Sequence, residues 1–90
     1  MKLAIGCDEA AYALKVEIMK HLDEIGVEYK DFGADKGEIV LYPDVAKTVA
    51  EAVAAGEFER GILVCGTGIG MAITANKVPG IRAAVCHDPF

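Results

Sequence analysis

The feature that most narrows the fold is a change of period around residue 65. Residues 61–65, Gly-Ile-Leu-Val-Cys, are apolar without alternation, and Gly66-Thr67-Gly68-Ile69-Gly70 follows at once. A short continuous apolar run suits a strand buried on both faces. The glycines then allow a sharp turn, and residues 71–78 read as helix up to the stop at Pro79-Gly80. Strand, glycine turn and helix in direct succession are the parts of a parallel sheet with helical crossovers.

The rest of the chain repeats that order. Residues 2–7 form an apolar run that suits a buried strand, ending in Gly6-Cys7-Asp8. Leu14, Ile18, Leu22 and Ile25 then recur at helical spacing, with Gly26 as the stop. Residues 27–32 alternate as a second strand, and residues 33–41 form a polar loop with two glycines. Pro43 and Asp44 open a second helix, whose buried stripe is Val45, Val49, Ala52 and Val53 and whose end is Gly56. Residues 81–86 read as a fourth strand. The expected order is β-α-β-α-β-α-β, without repeats or linkers. No helix follows the fourth strand, so residues 1–90 read as the front part of a longer doubly wound domain, or as one whose open face a partner subunit covers.

Composition removes several classes of function. Ninety residues allow one domain, and 53% hydrophobic against 26% charged residues can bury a core. No apolar run approaches the ~18 residues of a membrane helix, and the N-terminal run is too short for a signal peptide, so a cytoplasmic chain is expected. Nine Lys and Arg against 14 Asp and Glu give a net charge of −5 with no basic run, which argues against nucleic acid. Three cysteines at 7, 65 and 86 match neither a disulfide framework nor a zinc motif.

In open α/β sheets ligands bind outside the carboxyl ends of the strands. Cys7-Asp8-Glu9, Cys65-Gly66-Thr67 and Cys86-His87-Asp88 all fall at such ends. The glycine segment lacks the Lys and Ser/Thr of a nucleotide P-loop and the spacing of a dinucleotide fingerprint. It reads either as an anion-binding turn at a helix N-terminus or as a tight turn only. Cys65 is a thiol activated by that helix, or a small hydrophobe at a strand end. Asp8 is a cap, a site carboxylate, or both, and Tyr42 lines the same edge or packs on it. Cys7 and Cys86 read as inert packing, and His21 as a solvated helix residue.

The combination of Cys65-Gly66-Thr67-Gly68-Ile69-Gly70, Ala75-Asn76-Lys77 and Gly80-Ile81-Arg82-Ala83 resembles the ribose-5-phosphate isomerase B family, which includes galactose-6-phosphate isomerase. Gly6-Cys7-Asp8, Asp31-Phe32-Gly33, Tyr42-Pro43-Asp44 and Gly61-Ile62-Leu63-Val64 extend the likeness over the whole chain. The resemblance implies a Rossmann-like α/β/α domain, usually a homodimer, that interconverts phosphorylated aldoses and ketoses without metal or organic cofactor. It implies Cys65 as the base between C1 and C2. Thr67 and the amides from Gly66 through Gly68 to Gly70 would hold the enediolate oxygen. Asp8, Glu9 and Tyr42 would meet the sugar. One branch of the family replaces the cysteine by a Glu just after the last glycine; here that position is Met71.

Two departures stand out. Glu9 takes the place of the family's His, and its charge points to a substrate other than ribose 5-phosphate. The chain also lacks the later segment in which the family carries a ring-opening His, an Asn and phosphate-gripping arginines. Arg60 and Arg82 flank expected strands without evident convergence. The rival readings are a passive anion- or nucleotide-binding module on a flavodoxin-like fold, and a paralogue that only assembles with a full-length partner.

Overall fold

The computed structural model describes residues 1–66 and 69–86. Its elements are β1 (Lys2–Cys7), a 3-10 turn (Glu9–Ala11), α1 (Tyr12–Glu24), β2 (Glu28–Asp31), α2 (Tyr42–Ala54), β3 (Arg60–Val64) and α3 (Ile69–Asn76). The strands form one sheet in the order β2-β1-β3, and both pairings are parallel. Leu3 pairs with Tyr29 on one side and Arg60 on the other, which fixes the register of all three. No helix among the described residues is long and apolar enough to cross a membrane.

The central strand explains the layering. Successive side chains of β1 point to opposite faces. Ala4 packs with Val49, Ala52 and Phe58 on the α2 side, whereas Cys7 packs with Ala11 and Val64, and with Tyr12 and Ile18 of α1. Leu3 through Cys7 are accordingly all buried. Helix α3 joins α2 on its side of the sheet through Met71 against Val45 and Ala46. The result is the α/β/α arrangement of a Rossmann-like domain.

Small residues on the α2 side let that helix lie close. A Cβ on Gly6 would stand 2.7 Å from Val45 Cγ1 and 3.1 Å from Val49 Cγ2. Val49 is almost fully buried in return, an apolar burial worth about 1.5–3 kcal/mol. Helices α1 and α2 both stop where glycine was expected, at Gly26 (φ 73°) and Gly56 (φ 83°). At each end the glycine N–H and the next N–H return to helix carbonyls: Gly26 to Asp23 and Val27 to Leu22, then Gly56 to Val53 and Glu57 to Ala52.

Two expectations need correction. Residues 81–86 carry no strand. The Asn76 side chain donates to the Ala83 carbonyl (3.0 Å) and accepts from the Ala83 N–H (2.8 Å). A side-chain amide thus pairs with both backbone groups of Ala83 as a neighbouring strand would. The buried face of α1 is also turned from the expected stripe. Leu14 and Ile25 are 56% and 57% exposed, while Lys15 is completely buried together with Leu22. The buried or half-buried positions of α1 are Tyr12, Lys15, Val16, Ile18, Met19 and Leu22, a helical face that contains a lysine.

Candidate active site at the carboxyl edge

Because β1 is central, the residue after it is flanked by both neighbouring strand ends. The Asp8 N–H donates to the Val64 carbonyl (3.2 Å), so Asp8 stands beside the Val64–Cys65 peptide. On the other side, Cys7 N–H donates to Gly33 O (2.7 Å) and Ala34 N–H to Cys7 O (2.8 Å), which carries the β1–β2 pairing into the following loop. Asp8 Oδ1 accepts the Ala11 N–H at 2.9 Å. The capping role is therefore real, and it holds the carboxylate at the strand end.

Glu9 is exposed at the start of the 3-10 turn, and its Oε2 accepts a long bond from the Val40 N–H (3.5 Å) across the 33–41 loop. Tyr42, the first residue of α2, lies on the start of α3. A Cβ on Gly70 would be 2.5 Å from Tyr42 Cε1 and 3.0 Å from its hydroxyl oxygen. Only glycine leaves room for that ring at this place. A Cβ on Gly66 would meet nothing within 4 Å, so the start of the glycine segment faces open space. Cys65 is half-buried at the mouth of that segment. Thr67 and Gly68, assigned to the site from sequence, lie outside the described residues, as does His87.

The structure thus brings Asp8 to the Cys65 strand end and Tyr42 to Gly70, and it sets Glu9 against the loop between them in sequence. A cleft of about 850 Å³ runs along β3 and residues 80–86, and its lining includes Leu14, Ile62, Cys65 and Gly66 but none of Asp8, Glu9 and Tyr42. Arg60 and Arg82 both line it. Cys7 is fully buried and Cys86 exposed, while His21 is exposed on α1, in line with its reading as a solvated residue. No group of three or more His, Cys, Asp or Glu suited to a metal ion occurs among the described residues.

One polar group at this edge escaped sequence reasoning. The Lys15 ammonium, fully buried, donates to Asp31 Oδ1 (2.8 Å) and to the Ala34 carbonyl (2.6 Å) and stands 5.2 Å from the Tyr12 ring centre. Asp31 Oδ1 also accepts the Gly33 N–H (2.8 Å). A lone lysine inside a helical pattern carries no sign of such a partner. Burial pushes the Cys7 thiol above its ordinary value, the nearby Lys15 charge pulling the other way.

The three-layered α/β domain thus carries a carboxylate, a thiol and Gly66 at the carboxyl edge of its sheet, the edge at which open α/β sheets bind their ligands. Comparison with known proteins narrows that description. Residues 3–90 match the family described as Ribose/Galactose Isomerase, and the chain belongs to that family. It is 56% identical over 90 residues to ribose-5-P isomerase B of Listeria innocua serovar 6a, covering 100% of this chain and 61% of the relative. It is 53% identical over 91 residues to D-erythrulose-4-phosphate isomerase of Pectobacterium atrosepticum, covering 100% of this chain and 60% of the relative. The solved ribose-5-phosphate isomerase B of Clostridium thermocellum superposes with a TM-score of 0.92 at 57% identity, over 96% of this chain and 58% of that one. The chain spans about 60% of the length of these relatives.

Proposed function

We propose that this chain forms part of a sugar-phosphate isomerase that interconverts an aldose and a ketose through an enediolate. The Cys65 thiolate takes the proton from C2 of the aldose, leaving the electron pair in the enediolate, and the proton is delivered to C1 as the ketose forms. Thr67 and the amides from Gly66 to Gly70 hold the enediolate oxygen, the preorganised-donor logic of an oxyanion hole. Asp8, Glu9 and Tyr42 meet the sugar hydroxyls. The observation that carries this reading is the bond from Asp8 N–H to Val64 O, which puts a carboxylate next to the Cys65 strand end. The names of the relatives support a phosphorylated tetrose, pentose or hexose as substrate. Glu9, a charge in the family's His position, argues against ribose 5-phosphate as the preferred one.

The working form in this reading is a cytoplasmic homodimer, since a reducing compartment keeps Cys65 a thiol. The exposed Ile39 and Leu41 of the loop before Tyr42 supply apolar surface for association. The test is solvent exchange. The full natural chain in D2O, given ribose 5-phosphate or D-erythrulose 4-phosphate, should place deuterium on the carbon next to the carbonyl. Binding of either sugar phosphate without exchange would replace this reading by the passive binding module.

A further inference from the structure

Lys15 is the largest fully buried side chain of the described residues, and burying an ammonium is costly unless it is paired and bonded. Its bonds form a closed circuit around Asp8. From Asp8 the chain enters the 3-10 turn that this residue caps and then α1, where Lys15 lies one turn in. Lys15 Nζ reaches the Ala34 carbonyl and Asp31, Ala34 N–H returns to the Cys7 carbonyl, and Cys7 leads back to Asp8. Each link is a bond of 2.9 Å or less apart from the peptide chain itself. We infer that Lys15 is a positioning residue, whose ammonium holds the Gly33–Ala34 segment on the end of β1 and thereby sets where Asp8 presents its carboxylate. Asp31 serves the ammonium rather than the substrate.

This inference rests on the isomerase reading for its effect on turnover but not for its structural content, and the test separates the two. In the full natural chain, Lys15→Met keeps the length of the side chain and removes the charge. Turnover of ribose 5-phosphate and D-erythrulose 4-phosphate should fall about tenfold to a hundredfold in kcat, the scale on which small misplacement acts, with KM little changed. Asp8→Asn alone should lose as much, and the double variant Lys15→Met/Asp8→Asn should lose no more than either. Lys15→Arg, which keeps a charged donor, should recover part of the loss. An unchanged kcat in folded Lys15→Met, or losses that add with those of Asp8→Asn, would overturn the inference and leave the isomerase reading standing.

Should the parent protein turn over neither sugar phosphate, the isomerase reading fails, and amide hydrogen exchange decides the positioning role. Ala34 and Asp8 N–H should then exchange about tenfold faster in Lys15→Met than in the parent, and unchanged protection would refute the role. Removing the ammonium leaves Asp31 uncompensated, so Lys15→Met/Asp31→Asn, which relieves that charge, is the variant to use if the single one does not fold.

Discussion

The two flanks of β1 are built differently, and the contrast assigns them different work. Towards β2 the edge is closed by short bonds: Cys7 with Gly33 and Ala34, Lys15 with Ala34 and Asp31, Asp31 with Gly33. Towards β3 a backbone bond from Asp8 to Val64 ties the carboxyl edge, and beyond it lie half-buried Cys65, Gly66 with open space around it, and the long cleft along β3. A satisfied polar network holds geometry, whereas a half-buried thiol beside an exposed glycine leaves a surface a ligand can reach. In the proposed isomerase the β2 side positions and the β3 side reacts. Substitutions on the two sides should therefore differ in kind, and the first to try is the one with the largest effect.

Cys65→Ala removes the proposed base. Turnover of ribose 5-phosphate and D-erythrulose 4-phosphate should drop by about 10²–10⁴-fold, the usual worth of a positioned proton acceptor, while either still binds. Steady-state kinetics with equilibrium binding checks both parts. Near-normal turnover would move the chemistry off the β3 side and dissolve the contrast.

Gly70→Ala comes next, because it drives a methyl group into the Tyr42 ring, 2.5 Å from Cε1. The ring must leave its seat, which should cost about tenfold or more in kcat and about 1–3 kcal/mol in stability. Gly66→Ala sharpens the point: with nothing within 4 Å of its Cβ, its stability should change by no more than about 0.5 kcal/mol. Thermal melts of both variants settle which glycine is there for packing.

On the β2 side the expected effect is one of preference. Glu9→His exchanges an exposed carboxylate near Val40 for the residue the family carries. If Glu9 is what disfavours the pentose, the exchange should raise kcat/KM for ribose 5-phosphate about fivefold relative to D-erythrulose 4-phosphate, about 1 kcal/mol. An unchanged ratio would remove Glu9 from the list of residues that choose the substrate.

These residues were unequally visible in the sequence, for physical reasons. β1, β3, the glycine stops at 26 and 56 and the opening of α2 near Pro43 are local: apolar runs and turn chemistry determine them within a few residues. Asp8, Glu9, Cys65 and Gly66 followed, because strand ends in a parallel sheet share one edge. The strand expected at residues 81–86 is not formed because an apolar run specifies suitability for a ladder but not a partner; the backbone of Ala83 is bonded to the Asn76 side chain. Lys15 was invisible because its burial depends on Asp31 and Ala34, 16 and 19 residues away. Leu14 misled for the same reason: period alone does not reveal that Lys15, buried and bonded to the partly exposed Asp31 and to Ala34, takes the inward position beside it.

The smallest effect tests the closed side without touching turnover. Cys7 is fully buried between β1, α1 and the Ala34 carbonyl, and its burial raises the thiol above its ordinary value. Below the value of an exposed thiol, about 8.5, folded and unfolded chains both keep the proton, and the thiol leaves stability unaffected by pH. Above it the unfolded chain gives up the proton while the folded chain retains it, so unfolding gains and stability falls as pH rises towards the folded value. Tyr29, raised by its partial burial and then by Asp23, adds in the same direction only at higher pH, nearer about 10. Denaturant midpoints measured between about pH 8.5 and 10 should thus decline in the parent and decline less in Cys7→Ala. Equal slopes would mean that the β2 side opens enough for Cys7 to ionise in place, and a side that opens so readily could not hold Asp8 for the chemistry on the other.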